Sequence, residues 1–364
     1  MKPFPLIEIS GPPFARGRHY GGEARDRIIK SIALYRSRLA TIGIADPAPL
    51  IERFIPLIED FGTQYLDEMR GIAAGAGVEL DDIVLVNSRT EIVALARLRD
   101  AHPDGCTGVV VLAGRTEDGN LIHAQNWDWL AKCIDTAIVL RIKREDGLDI
   151  LTFTEAGGLA RSGLNAAGIA ITANYLESDR DYRQSGIPLP LIRRKALERE
   201  HLALAMKAVA TTPEGLLQQH DAELGRRVRD QLRVCARRVL AIYPVENLLV
   251  HANHWQSRVA LSKLKDIGLG EAPESFYRDW RVRRLLEGKR RIALDEVKAA
   301  HFDGFGSPFA VCRPAFDPGG GNLSATVAMI VMEPGSGFMD IAPMPALNSL
   351  FTRYRLEGEP QALN

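Results

Sequence analysis

Apolar residues recur at helical spacing through the first hundred positions. Between Ala24 and Leu39, residues Ile28, Ile29, Ile32, Ala33 and Leu39 fall close to a 3.6-residue period, which predicts an amphipathic helix. Phe61 to Ala76 repeats the pattern, and Gly75 and Gly77 supply stop signals. Asp81-Asp82 then precede the apolar run Ile83-Val84-Leu85-Val86, which leads to Asn87-Ser88-Arg89. Beyond Pro103 the period changes. Thr107 to Leu112 is β-branched and apolar, and the turn Glu117-Asp118-Gly119-Asn120 joins it to Leu121–Gln125 as a hairpin. Ala137–Arg141 and Ile150–Thr154 flank Asp146-Gly147 in a second hairpin, and a third runs from Leu164-Asn165 into Gly168–Thr172. Pro188 to His201 predicts a helix with Arg and Lys on its outer face. Strands are predicted again at Leu248–His251, Ala310–Cys312, Ala325–Met332 and Phe338–Ile341. Between Leu224 and Leu240, residues Leu224, Val228, Leu232, Cys235 and Val239 suit a helix that also carries arginines 226, 227, 229, 233, 237 and 238. Such a stretch is either a solvated basic face or a patch for an anionic substrate group. Helices first, then strands with helices inserted, is the order of an α+β layered fold.

Composition narrows the class. The chain has 364 residues, enough for one large domain or two modest ones, with 46% hydrophobic and 25% charged residues. Lys+Arg and Asp+Glu both number 46, so no charge imbalance favours a nucleic acid or an anionic membrane as partner. The first residues lack a signal-peptide core, and no run of about 20 apolar residues exists to span a membrane. A cytoplasmic protein is expected. The four cysteines, at 106, 133, 235 and 312, are too scattered for a disulfide framework or a Cys-x-x-Cys zinc site. His251 and His254, three apart on a strand, would point to opposite faces, and no His-Glu-x-x-His is present. Gly319-Gly320-Gly321 lacks the Lys-Ser/Thr of a phosphate loop. No metal and no cofactor is expected.

Cys133 and Cys235 read as small buried hydrophobes. Cys106 stands in Asp104-Gly105-Cys106-Thr107-Gly108, at the start of the first strand. A thiol there, behind an unhindered Gly carbonyl, can attack its own upstream peptide bond. The N-to-S shift gives a thioester, and water then frees an α-amino group on Cys106. That amine has an ordinary pKa of about 7.7–8.0 and can take the thiol proton near neutral pH. One residue then supplies both nucleophile and base. On the pentapeptide alone, a buried structural cysteine is the commoner reading.

Further residues recur in a specific order. Cys106-Thr107 is followed by Gln125-Asn126-Trp127-Asp128-Trp129, then His251-Ala252-Asn253-His254, then Val311-Cys312-Arg313. Upstream stand Gly11, Gly17, Tyr20-Gly21, the segment Gly71 to Gly77, and Asn87-Ser88-Arg89. The ordered set resembles the acyl-coenzyme A:6-aminopenicillanic acid acyltransferase family, also called the isopenicillin-N acyltransferase or C45 peptidase family, of the N-terminal nucleophile hydrolases. The resemblance covers nearly the whole chain.

The resemblance implies a four-layer αββα sandwich, two antiparallel sheets between helical layers. It implies cleavage between Gly105 and Cys106, with residues 1–105 a mainly helical propeptide retained as a subunit and residues 106–364 the catalytic part. Cys106 would be the nucleophile of both self-cleavage and turnover. Asp128 would stabilise the ammonium form of its amine, and Asn253 would donate to the oxyanion, with Asn174 a second donor. Arg313 would pair with Asp128 or with a substrate carboxylate. Trp127, Trp129 and His254 would line the substrate cleft. The reaction implied is acyl transfer at a C–N bond through a Cys106 thioester. The partner is a small-molecule amide or acyl-coenzyme A, and the acyl group passes to water or an amine. A rival expectation is a non-catalytic protein that keeps the scaffold, stays unprocessed and acts as a binding protein.

Overall fold

The computed structural model describes residues 1–95, 105–179, 186–212, 219–225, 234–235, 238–239, 242–318 and 322–363. An extended segment, β1 (Leu6–Ser10), opens the chain. Helices α1 (Pro13–Glu23), α2 (Arg25–Thr41), α3 (Ala48–Ile51), α4 (Phe54–Phe61), α5 (Thr63–Ala76) and α6 (Leu80–Leu95) follow. In α2, Ile28, Ile32 and Leu39 of the predicted stripe are buried, together with Tyr35, whereas Ile29 and Ala33 are exposed. Helix α5 ends at Gly77, whose φ of 68° is left-handed and cheapest for glycine.

The glycines noted upstream of Cys106 set how closely α1 and α5 approach. A Cβ on Gly17 would lie 2.1 Å from the Glu68 carbonyl oxygen, and one on Gly71 would lie 2.2 Å from that of Phe14. Gly21 and Gly75 meet the opposite backbone just as tightly. The two helices therefore pack backbone against backbone, which any larger residue would prevent.

Strands β2 (Gly105–Val111), β3 (Ile122–Leu130), β4 (Ala137–Lys143), β5 (Ile150–Glu155), β6 (Ser162–Asn165) and β7 (Ala170–Leu176) come next. They lead to helices α7 (Leu189–Leu197) and α8 (Leu202–Ala210). Then come strands β8 (Gln219–Gly225), β9 (Val234–Cys235), β10 (Arg238–Val239) and β11 (Leu248–His251). Helices α9 (Arg258–Leu261), α10 (Glu274–Leu286) and α11 (Leu294–His301) precede the last strands, β12 (Ser324–Glu333), β13 (Phe338–Pro343), β14 (Phe351–Arg355) and β15 (Gln361–Leu363).

Two sheets stack face to face. One has the order β1-β4-β5-β6-β7-β8, the other β11-β2-β3-β12-β13-β14-β15. Nearly every residue of β2, β3, β5 and β12 is buried, because each sheet is covered on both faces. Trp127, Phe153, Ile171 and Ile330 belong to one large core shared with the N-terminal helices. On the other side of the second sheet, Val109, Ile122 and Val250 pack against Val282 and Leu286 of α10 and Val297 of α11. The layers are thus helix, sheet, sheet, helix, as expected.

Several expectations need correction. Arg193 and Arg194 of α7 are buried rather than on an outer face. The sheets are not wholly antiparallel, since β1 pairs in parallel with β4, so the N-terminal segment supplies a strand as well as helices. The stretch from Leu224 to Leu240 is not helical where described. Leu224 lies in β8, which pairs with β7, and Val234–Cys235 pairs with Arg238–Val239. Pairing with an available sheet edge outweighs local helical periodicity. Arg226, Arg227, Arg229, Arg233 and Arg237 lie outside the described residues. Ala310–Cys312 is a buried bend rather than a strand. Finally, β11 ends at His251, so strand alternation does not extend to His254, and the two rings lie 5.7 Å apart.

Candidate active site

Gly105 and Cys106 begin β2, with Gly105 opposite Asp128 and Cys106 opposite Trp127 in the register with β3. Cross-strand partners share a face, so Cys106 and Trp127 point the same way and Gly105 sits against Asp128. A Cβ on Gly105 would come within 3.0 Å of the Asp128 Cβ and 3.2 Å of its Oδ2. Gly105 is therefore where a carboxylate comes close to the peptide bond before Cys106.

Asp128 is buried, and both of its oxygens are engaged. Thr326 Oγ1 donates to Oδ1 at 2.7 Å, and Arg313 Nε lies 3.2 Å from Oδ2. Arg313 also reaches Glu274 at 2.8 Å, and its main-chain N–H donates to Thr326 Oγ1 at 2.8 Å. Of the two partners expected for Arg313, Asp128 is the one it meets.

The main-chain N–H of Cys106 donates to Asn253 Oδ1 at 2.9 Å. Asn253 follows β11, which pairs with β2 on the side away from β3. Its Nδ2 donates to the Tyr175 carbonyl at 3.0 Å, and its main-chain N–H donates to Ser275 Oγ at 2.6 Å. His254 Nδ1 shares the same Ser275 hydroxyl at 2.8 Å, and its ring lies 4.4 Å from that of Phe276. Asn253 is thus held through both its side chain and its main chain.

Arg278 was not anticipated. It is fully buried on α10, and its Nη1 donates to the Cys106 carbonyl at 2.5 Å and to Thr107 Oγ1 at 2.8 Å. Its Nη2 donates to Asn253 Oδ1 at 2.8 Å. Burial, then repulsion from Arg313, lowers its pKa to about 10, so the guanidinium stays charged at neutral pH. The sequence did contain a signal. Ser275, Arg278, Val282 and Leu286 recur at helical spacing, a polar pair continuing an apolar stripe. The same geometry burdens Cys312, whose thiol is pushed up to about 12 by burial and then by Asp128.

Asn174 lies apart from these contacts. Its Nδ2 donates to the His251 carbonyl at 3.0 Å, and its Oδ1 accepts from Gln125 Nε2 at 2.8 Å. Its neighbour Tyr175 is the residue that holds Asn253. Trp127 is fully buried, edge-on to Phe153 with ring centroids 5.6 Å apart, and the Arg161 guanidinium lies over it at 4.1 Å. Trp129 is nearly buried between the sheet and the N-terminal helices, where its Nε1 donates to Tyr35 Oη at 3.3 Å. Among the described residues no group of three His, Cys, Asp or Glu is arranged to hold a metal, and no helix is long and apolar enough to cross a membrane.

Comparison with known proteins bears on the same region. A curated relative, the 40 kDa form of acyl-coenzyme A:6-aminopenicillanic-acid-acyltransferase from Emericella nidulans, is 27% identical over 328 residues, 84% of each chain. Among solved structures, a mutant conjugated bile acid hydrolase from Clostridium perfringens matches with a TM-score of 0.46 at 11% identity. The match covers 71% of this chain and 96% of that one. Penicillin V acylase from Agrobacterium tumefaciens matches with a TM-score of 0.40 at 13% identity, over 65% of this chain and 83% of that one. The family model for acyl-coenzyme A:6-aminopenicillanic acid acyl-transferase matches residues 115–334. That span holds Asp128, Asn174, Asn253, Arg278 and Arg313, and begins just after Cys106. Because the match takes in more than half of the chain, this protein belongs to the acyl-coenzyme A:6-aminopenicillanic acid acyl-transferase family.

Proposed function

We propose that the chain is a self-processing acyltransferase or amidohydrolase whose nucleophile is Cys106. The observation that carries the proposal is the convergence of Asn253 and Arg278 on the main chain of Cys106, beside the buried Asp128–Arg313 pair. In self-cleavage the Cys106 sulfur attacks the Gly105 carbonyl carbon. The C–N bond breaks, the nitrogen takes the proton, and the acyl group rests on sulfur as a thioester. Water then releases the Gly105 carboxyl group and leaves Cys106 with a free thiol and a free α-amine.

In turnover that amine accepts the thiol proton, and the thiolate attacks the carbonyl of an amide or thioester. The nitrogen or thiol leaving group takes a proton from the ammonium. The resulting Cys106 acyl-thioester passes its acyl group to water or to an amine. Asn253 supports the step in two ways. Its Oδ1 already accepts from the nitrogen that becomes the amine, and its Nδ2, which donates to the Tyr175 carbonyl, is the group proposed to serve the oxyanion. Asp128 stabilises the ammonium formed in the step. Arg278 anchors the Cys106 carbonyl, so the new terminus keeps its place once Gly105 is released.

Retention of residues 1–105 after cleavage is supported by what they bury. Glu68 is completely enclosed between Arg16 and Arg194, and Tyr20 both receives the Gly157 N–H and donates to the Gly158 carbonyl. Asn87 bonds Gly157 and Leu159 in the same way. The relative's name couples acyl-coenzyme A to 6-aminopenicillanic acid, and we propose a related chemistry, an activated acyl donor and a small amine, for this chain. Intact mass after expression tests the proposal. Two fragments are expected, one ending at Gly105 and one beginning at Cys106, with a single chain for Cys106→Ala. A full-length chain with no acyl adduct on Cys106 from a reactive acyl donor would leave a non-catalytic binding scaffold instead.

A further inference from the structure

A row of side chains across three neighbouring strands is interrupted at Gly105. In the register of β2, β3 and β12, Gly105 stands opposite Asp128, and Asp128 stands opposite Thr326. Cross-strand partners share a face, and their Cβ atoms ordinarily lie about 4.5–5.5 Å apart. A Cβ on Gly105 would lie only 3.0 Å from the Asp128 Cβ, 3.2 Å from its Oδ2 and 3.5 Å from Arg313 Nη1. The start of β2 is thus pressed onto β3 more closely than two facing side chains allow.

Asp128 has little freedom to withdraw. Strand β3 is an inner strand, with β2 on one side and β12 on the other. Asp128 and Thr326 are buried, Thr326 Oγ1 donates to Oδ1 at 2.7 Å, and Arg313 Nε lies 3.2 Å from Oδ2. A methyl group at the Gly105 α carbon would require that group to shift. A larger branch would require β3 itself to move.

The crowding has a meaning for turnover. In self-cleavage the Gly105 carbonyl carbon becomes the acyl carbon of a Cys106 thioester. That thioester, Cys106 Sγ–C(=O)–CH2, is the first acyl-enzyme the site forms, and its α carbon is that of Gly105. Asn253 holds the Cys106 nitrogen and Arg278 holds its carbonyl, so the sulfur starts from the same place when a substrate follows. A substrate acyl carbon then lies where the Gly105 carbonyl carbon lay, with its own α carbon against Asp128.

We infer that Asp128, backed by Arg313, is the wall that sets acyl specificity. The site takes acyl groups whose α carbon is an unbranched CH2 and rejects those with a substituent in the L position of that carbon. The inference rests on Cys106 being the nucleophile. It gives Asp128 a steric duty apart from its charge, since the wall is made by its Cβ as well as by Oδ2.

Benzyl thioesters of N-acetylglycine, N-acetyl-L-alanine and N-acetyl-D-alanine test this on the wild-type protein. The Cys106 thiolate attacks the thioester carbonyl, the C–S bond breaks, and benzyl mercaptan leaves with the proton. Initial rates of thiol release are divided by those with free cysteine, which corrects for intrinsic reactivity. Intact mass locates the adduct on Cys106. The L-alanine ester is expected to acylate at least about tenfold more slowly than the glycine ester. The D-alanine ester carries its methyl on the other hydrogen position of that carbon, away from Asp128, and should react faster than the L ester. In the full chain, Gly105→Ala should slow self-cleavage by a similar factor and Gly105→Val should stop it. Thermal unfolding identifies a variant that does not fold, and the thioester rates then decide. Equal corrected rates for glycine and L-alanine, equally low rates for both alanine enantiomers, or undiminished self-cleavage of Gly105→Val overturns the wall. An adduct on Cys106 in any of those cases leaves the nucleophile standing. No adduct from any of the three thioesters overturns the nucleophile, and this inference with it.

Discussion

The main-chain nitrogen of Cys106 donates a 2.9 Å hydrogen bond to Asn253 Oδ1, across 147 residues of chain. After cleavage that nitrogen is the proposed base, so one amide oxygen orients the lone pair that must accept the thiol proton. Asn253→Ala removes this contact together with the proposed oxyanion donor. A loss of about 10²–10³ in kcat is expected, from the usual worth of such a donor. Asn253→Asp should not rescue it, because a carboxylate cannot donate. Steady-state kinetics on processed protein checks both.

Arg278 gives a pH prediction with a definite sign. Its charge lies beside Cys106 and disfavours the ammonium form of the new amine, which lowers that amine from its ordinary pKa of about 7.7–8.0. Arg278→Met should therefore shift the acidic limb of the kcat/KM profile to higher pH. Arg278→Lys keeps the charge and should hold the limb in place even if kcat falls. An unshifted limb in Arg278→Met would show that the residue acts on structure alone.

The buried Arg16–Glu68–Arg194 group crosses the Gly105-Cys106 boundary in sequence. Arg194→Met leaves Glu68 with one partner in a site closed to solvent. Breaking such a group costs about 3–5 kcal/mol. Chemical unfolding should show that loss, and size-exclusion chromatography of processed protein should show separation of the two pieces in the variant alone.

Close packing of α1 on α5 gives a paired test. Gly71→Ala drives a methyl to 2.2 Å from the Phe14 carbonyl oxygen and should destabilise by about 1–3 kcal/mol or more. Gly22→Ala, on α1 with nothing within 4 Å of its Cβ, should be neutral or gain up to about 1 kcal/mol from helix propensity.

Glu155 sets an acid limit. Burial works to raise its pKa, but Arg89, Arg161 and the Tyr35 hydroxyl outweigh it, and the net shift is downward from 4.5. A carboxylate with a lowered folded pKa contributes stability that is fully present above its unfolded value. That stability is lost as pH falls through the folded value. Wild-type protein should therefore lose stability more steeply below about pH 4.3 than Glu155→Gln does, measured by urea midpoints across pH 2–7.

Much of the architecture was legible because one residue type per position carries the message. The β-branched run after Pro103 and the helical stripe at Ile28, Ile32 and Leu39 report burial directly, and the structure buries them. Where burial comes from a distant partner the same logic fails. Leu224 sits at helical spacing with its successors, yet pairs with Ile171 as a strand, because β7 offers an unpaired edge. The parallel pairing of Leu6–Ser10 with β4 is equally invisible locally, since the partner lies over 130 residues away.

By itself the sequence determined the layered α+β class, the hairpin that follows Cys106 and, through a family resemblance, the candidate set Cys106, Asp128, Asn253 and Arg313. Each depends on residue type and spacing along one chain. Only the tertiary structure decided how those residues meet: Arg313 between Asp128 and Glu274, Asn253 on the nitrogen of Cys106, and Arg278 on both Asn253 and the Cys106 carbonyl. Hydrogen bonds act over about 3 Å, and nothing in spacing along the chain states which distant groups will come that close.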